Sequence, residues 1–142
     1  MDEGKYFDYN RKLWNDRVEN HKTTKFYNVK DFKAGKTSLR ATELSEIGDI
    51  NGKSLLHLQC HFGMDTISLS RMGAKATGVD FSEEAIELGR QLAFEQKSET
   101  KFICANIYDL KEHLKTKFDV VYTSYGTIGW LPEGVALLWI SA

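Results

Sequence analysis

Two patterns of apolar spacing divide the chain. Up to about Gly48 the sequence is polar and studded with aromatic residues, and its apolar positions fall at helical intervals: Trp14 and Val18 are four apart, and Leu39, Leu44 and Ile47 come later. A helical N-terminal extension, residues 1–48, is expected to pack on the main domain. From Lys53 short apolar runs alternate with amphipathic segments, the pattern of βαβ units on a parallel sheet. Four strands are predicted, Ser54–Leu58, Ala74–Asp80, Lys101–Ala105 and Phe118–Thr123, each too short for a helix. Asp65–Met72 reads as a helix that Gly73 stops. Ser82 can cap the next helix, with Glu83 and Glu84 in the first turn where carboxylates suit the helix dipole. Ile86, Gly89 and Ala93 share the face of that helix meant for the sheet. No repeat, low-complexity tract or Pro/Gly-rich linker breaks residues 49–142, which read as one unit.

Composition narrows the class. A chain of 142 residues that is 42% hydrophobic and 12% aromatic can bury a real core. Its net charge of −1 gives no global field toward nucleic acid or an anionic membrane, and so favours a small neutral or zwitterionic ligand. Cys60 and Cys104 lack the spacing of a disulfide framework, and no apolar N-terminal run serves as a secretory signal, so a reduced, cytoplasmic setting is expected. The longest apolar stretch, Gly134 to Ile140, is far short of the roughly 18 to 20 residues that span a bilayer. Residues 22–40 carry Lys22, Lys25, Lys30, Lys33, Lys36 and Arg40 among Phe26, Tyr27 and Phe32. Such a segment can grip RNA or phosphate, but a solvated lid over a ligand is the preferred reading.

The chemistry begins at the first strand. Leu55-Leu56-His57-Leu58-Gln59-Cys60-His61-Phe62-Gly63-Met64-Asp65 runs from strand through loop into helix, and Gly78-Val79-Asp80 ends the second strand. A loop that opens a helix offers unpaired backbone N–H groups, and an acid at the neighbouring strand tip accepts both hydroxyls of a ribose. Together they make a nucleoside pocket. Asp80 lies 17 positions after Gly63, a spacing that suits S-adenosylmethionine and a nicotinamide dinucleotide alike. A G-x-G-x-x-G turn, which a nicotinamide-dependent oxidoreductase requires, is not supplied by Gln59 to Met64. Asp80 as a mere helix-entry acid and Phe81 as a hydrophobic staple are the plainer alternatives.

These blocks resemble the class I S-adenosylmethionine-dependent methyltransferases, within them a bacterial branch whose first loop reads much like His-Leu-Gln-Cys-His-Phe-Gly. The likeness runs from about Trp14 to Pro132 through Trp14-Asn15-Asp16-Arg17, Ser54 to Gly63, Gly78 to Ser82, Ala105 to Tyr108 and Tyr122 to Pro132. It implies a Rossmann-like α/β fold whose first four parallel strands lie in the order 3-2-1-4, and methyl transfer from S-adenosylmethionine to a small molecule. It further implies that Gln59, Cys60, His61 and Gly63 line the methionine end of the cofactor and that Asp80 holds the ribose. Phe81 would pack on the adenine, Asn106 and Ile107 would meet its edge, and Ser124 with Tyr125 would close the site. Trp14 and Arg17 would face the pocket, with Tyr125, Trp130 and Tyr27 as walls for the methyl acceptor. No catalytic residue is assigned, because the sulfonium is already a strong electrophile and asks mainly for positioning.

The loop departs from the superfamily pattern. An acid usually stands two residues before the first of three glycines; here His57 takes its place, Gln59 and His61 replace two glycines and only Gly63 is kept. Side chains where glycine permits positive φ imply a reshaped loop. His57, Cys60, His61 and Cys104 invite a zinc reading, but in the family's strand order strands 1 and 3 stand about 10 Å apart, so no metal is assigned. Only 19 residues follow Thr123, too few for the remaining strands of a seven-stranded sheet, and Glu133 to Ile140 form an apolar run. A C-terminally truncated, inactive cofactor-binding fragment is therefore the alternative reading, prone to self-associate through its open sheet edge.

Overall fold

The computed structural model describes residues 3–23 and 28–124. Four strands, β1 (Ser54–Leu58), β2 (Lys75–Asp80), β3 (Lys101–Cys104) and β4 (Val120–Tyr122), form one parallel sheet in the order β3-β2-β1-β4. His57 stands opposite Gly78 and Tyr122, and Asp80 opposite Cys104. The predicted order and strands are present, with β1 residue for residue; the other three lose flanking residues such as Ala105 and Thr123 that leave the ladder. Three helices precede the sheet, α1 (Glu3–Thr23), α2 (Val29–Lys33) and α3 (Ala41–Ile47). Between strands lie α4 (Met64–Arg71), α5 (Glu83–Glu95) and, after a 3-10 turn at Ile107–Asp109, α6 (Leu110–His113).

Central strands of a parallel sheet are covered on both faces, which is why β1 reads as a nearly continuous apolar run. Leu55, Ala76 and Val120 point to one face, against Leu39, Ile50 and Leu69 of the N-terminal segment and α4. Leu56, Leu58 and Val79 point to the other, against Ala105, Ile107 and Leu110. The Phe102 ring of β3 joins Phe62, Ile67, Ile86 and Leu92 under α4 and α5. It fills the volume left by three missing side chains: a Cβ on Gly63, Gly78 or Gly89 would stand 2.3, 2.9 and 3.3 Å from that ring.

Local signals act as expected at the helix ends. The Ser82 Oγ accepts from Ala85 N at 3.2 Å, and Ile86, Gly89 and Ala93 are buried on α5. Helix α4 starts one residue earlier than predicted, because Gly63 serves as its N-cap at φ 78°. Of the apolar stripe Leu39, Leu44 and Ile47, Leu39 is buried and Ile47 packs on the same cluster while Leu44 is exposed; Glu43 adds a polar tie, its carboxylate accepting the Tyr122 hydroxyl at 2.5 Å. The basic segment around Phe32 is tied down by Arg71, which donates to the carbonyls of Phe32 and Lys36. No described helix is long and apolar enough to cross a membrane. The apolar run 133–140 lies outside the described residues.

Candidate functional site

The loop after β1 sets the site. Gln59, His61 and Gly63 take φ of 54°, 55° and 78°, so all three alternate positions are left-handed. Side chains thus stand where the left-handed region favours glycine, and the two non-glycines hold that conformation at about 1–2 kcal/mol each. What holds them there is a set of hydrogen bonds to neighbouring strand ends. Cys60 N donates to Val79 O at 2.9 Å, His61 N to the Asp80 carboxylate at 2.9 Å, and Gly63 N to Cys60 O at 3.1 Å.

Asp80 ends β2 beneath this loop, 7% exposed. One carboxylate oxygen accepts His61 N–H and the other accepts Ser82 N–H at 3.0 Å. Burial pushes its pKa up to about 6, against the pull of the backbone donors of Ser82, His61 and Phe81. A carboxylate has about four acceptor sites, so with three backbone donors the group keeps capacity for a hydroxyl donor from the cavity.

Around loop and carboxylate lies a cavity of about 200 Å³, more than ten times the roughly 10–15 Å³ that holds one water. Gln59, Cys60, His61, Gly63, Asp80, Phe81, Asn106, Ile107 and Ser124 all border it, so nine of the ten predicted binding residues are brought together. The tenth, Tyr125, lies outside the described residues, as do Tyr27 and Trp130. Asn106 caps the 3-10 turn by accepting from Tyr108 N at 3.1 Å, which fixes Ile107 beside it. Trp14 borders the cavity and packs edge-on against His61, ring centroids 5.4 Å apart; Arg17 instead stays exposed with its guanidinium over the Trp14 ring.

Two groups that suggest reactivity are chemically quiet. His57 is 3% exposed, its Nδ1 lies 2.7 Å from the Thr66 hydroxyl, and burial lowers its pKa to about 3, so the ring is neutral. The Cys60 thiol is pushed up by burial and by the charge of Asp80, which keeps it protonated. Among the described residues no group of His, Cys, Asp and Glu is placed to hold a metal ion.

Sequence reasoning missed part of the lining. Phe7 and Asn10 come from α1, Ser38 and Arg40 from the segment before α3, and Met64 and Asp65 from the start of α4. Ser38 Oγ donates to Asp65 at 2.5 Å, and burial raises the Asp65 carboxyl to about 6. Trp14 was expected at the pocket; Phe7 and Asn10 were signalled only by their spacing of seven and four residues before it, obscured by the polar residues around them.

Comparison with known proteins agrees with this geometry. The family model described as a methyltransferase domain matches residues 55–138. A demethylmenaquinone methyltransferase of Lactococcus lactis is 36% identical over 91 residues, 61% of this chain and 36% of that protein. The chain spans 29–42% of the length of the curated relatives it matches. Among solved structures, a TehB-like SAM-dependent methyltransferase from Corynebacterium glutamicum has the same fold, with a TM-score of 0.62 at 20% identity over 84% of this chain and 60% of that one. Phosphoethanolamine N-methyltransferase 1 of Haemonchus contortus, in complex with phosphoethanolamine and S-adenosylhomocysteine, reaches 0.70 at 17% identity over 98% of this chain and 29% of that one. Because the family match covers more than half of a chain whose parallel sheet runs β3-β2-β1-β4 and holds a cavity at its strand ends, the chain belongs to the methyltransferase-domain family.

Proposed function

We propose that the chain binds S-adenosylmethionine and forms the cofactor-binding part of an enzyme that methylates a small molecule. The observation that carries this reading is the cavity at the C-terminal ends of β1 and β2, bounded by the left-handed loop 59–63 on one side and the Asp80 carboxylate on the other. Ligands of α/β sheets bind at such a switch point, here where the order turns from β2 through β1 to β4. Residues 1–48 would then cover the site and residues 49–142 would build it.

The residues present fit the cofactor. Asp80 would take the ribose hydroxyls, Phe81, Asn106 and Ile107 the adenine, and Gln59, Cys60, His61 and Gly63 the amino-acid end. Ser124 and Tyr125 would close the site beside the acceptor. When bound, the cofactor supplies a methyl group already activated on a sulfonium. The protein's part is to orient that group and exclude water, and a Cys60 held as the protonated thiol adds no competing thiolate. Aromatic faces of Phe7 and Trp14 also favour a cationic ligand. The acceptor is read as a small molecule, in keeping with the name of the Lactococcus relative.

Thermal-shift measurements with S-adenosylmethionine, S-adenosylhomocysteine, NAD and NADP test the reading. The first two should raise the melting temperature; a shift with NAD alone would overturn it in favour of an oxidoreductase.

A further inference from the structure

Helix α1 lies across the C-terminal ends of the strands and is anchored at both ends of that crossing. The Phe7 ring packs on Tyr108 after β3, centroids 5.7 Å apart, and Trp14 packs on His61 after β1. Beside Trp14, Asn15 bonds Ser82 and donates to Glu83 at 3.1 Å, fastening the helix to the start of α5. From Phe7 to Trp14 a helix rises roughly 10 Å, which matches two inter-strand steps of about 4.8 Å. The helix is thus in step with the ends of β3, β2 and β1. Phe7, Asn10 and Trp14 fall on one face and all three border the cavity. Asn10, the middle one, borders the same cavity as Asp80 at the end of β2.

Asn10 is 5% exposed, and its side-chain amide forms no hydrogen bond among the described residues. Asn15, five residues on, commits its amide fully to the protein. An amide that borders the cavity without a protein partner keeps its donor and acceptor for whatever the cavity holds.

We propose that Asn10 is a nucleoside-contact residue, its amide hydrogen-bonding the adenosine moiety from the helix side while Asp80 holds it from the sheet side. This rests on S-adenosylmethionine being the ligand of the cavity. An amide presents both donor and acceptor, which suits a ribose hydroxyl or an adenine edge and distinguishes Asn10 from the acceptor-only carboxylate.

The test is calorimetric titration of the full chain, wild type and Asn10→Leu, with S-adenosylhomocysteine and with 5′-methylthioadenosine, which lacks the amino-acid end. Both affinities should fall by the same factor, about tenfold for one lost hydrogen bond. The denaturation midpoint of the ligand-free variant should not fall, since no protein partner is lost. Asn10→Ser, smaller and still polar, is read in the same way if the leucine variant does not fold. Unchanged affinity for both ligands, in a protein where Asp80→Ala weakens binding, overturns the Asn10 assignment alone. A loss confined to S-adenosylhomocysteine also overturns it by moving Asn10 to the amino-acid end. Wild-type protein that binds neither ligand overturns both readings.

Discussion

Acidification should weaken cofactor binding through a single carboxyl. Asp80 accepts ribose hydroxyls with the strength of a charged acceptor only when ionised, and burial has raised its pKa to about 6. If the ligand takes only the ionised form, the apparent Kd scales as 1 + 10^(pKa − pH): close to unity at pH 8, about twofold at pH 6 and about elevenfold at pH 5, or roughly 1.4 kcal/mol. Affinity is therefore lost as the pH falls through about 6 and is flat above about 7. Asp80→Ala should lower affinity by on the order of ten- to a hundredfold at pH 8 and should also flatten the profile. Calorimetric titration with S-adenosylhomocysteine from pH 5 to pH 8 measures both. The variant serves as the control for other titrating groups, since His61 and Asp65 border the same cavity. A wild-type affinity that does not change across this range, or an Asp80→Ala variant with the wild-type slope, would refute the reasoning.

Gly63→Ala should destabilise the fold by about 2–4 kcal/mol, because its Cβ would meet the Phe102 ring at 2.3 Å and the residue would stand at φ 78°. In urea denaturation, Phe102→Leu in the same chain should recover part of that loss, and strict additivity of the two would count against the packing account. His57 is held neutral with a lowered pKa, so it contributes stability that is lost as pH falls below about 6.5, roughly 2 kcal/mol by pH 5, whereas the raised Asp65 and Asp80 carboxyls contribute stability that is lost as pH rises from about 4 through 6. His57→Gln should therefore lose less stability than wild type between pH 7 and pH 5 in denaturant titrations; an equal loss removes His57 from the account. Replacing Gln59 and His61 together by glycine relieves backbone strain but removes two cavity walls and the Trp14 contact, so S-adenosylhomocysteine should bind more weakly. Tighter binding by the double variant would show that these side chains obstruct the site.

Much of the sheet was legible because strand burial writes itself into the sequence. β1 is buried on both faces and so reads as an apolar run bounded by Lys53 and the loop, and Ser82 and Gly73 carry the helix start and stop in their own chemistry. The loop conformation was not legible. Gln59 and His61 look like departures from a glycine pattern, and only the bonds from Asp80 and Val79 to loop N–H groups show why the backbone keeps its path. The α1 wall was hidden for another reason. Its cavity face is an interrupted line of Phe7, Asn10 and Trp14 in a polar helix, and Asn10 looks like any solvated asparagine until its burial is seen. Leu44 misled in the opposite direction, since it is exposed while Ile47 packs on the core, and the tie from Glu43 to Tyr122 beside them is one that apolar spacing cannot reveal.

The Phe102 ring and the three glycines around it also bear on how the sequence can change over time. Gly63 belongs to the cofactor loop, Gly78 to a central strand and Gly89 to a helix, yet all three border one aromatic side chain. A methyl at Gly63 or Gly78 would drive into the ring, and one at Gly89 would press on it at 3.3 Å and on the Phe62 carbonyl at 3.1 Å. Shrinkage at 102 lifts only part of the constraint, because Gly78 also faces the Cys60 thiol at 2.9 Å and Gly63 keeps a left-handed φ of 78°, so ring and glycines stay tied through one shared volume.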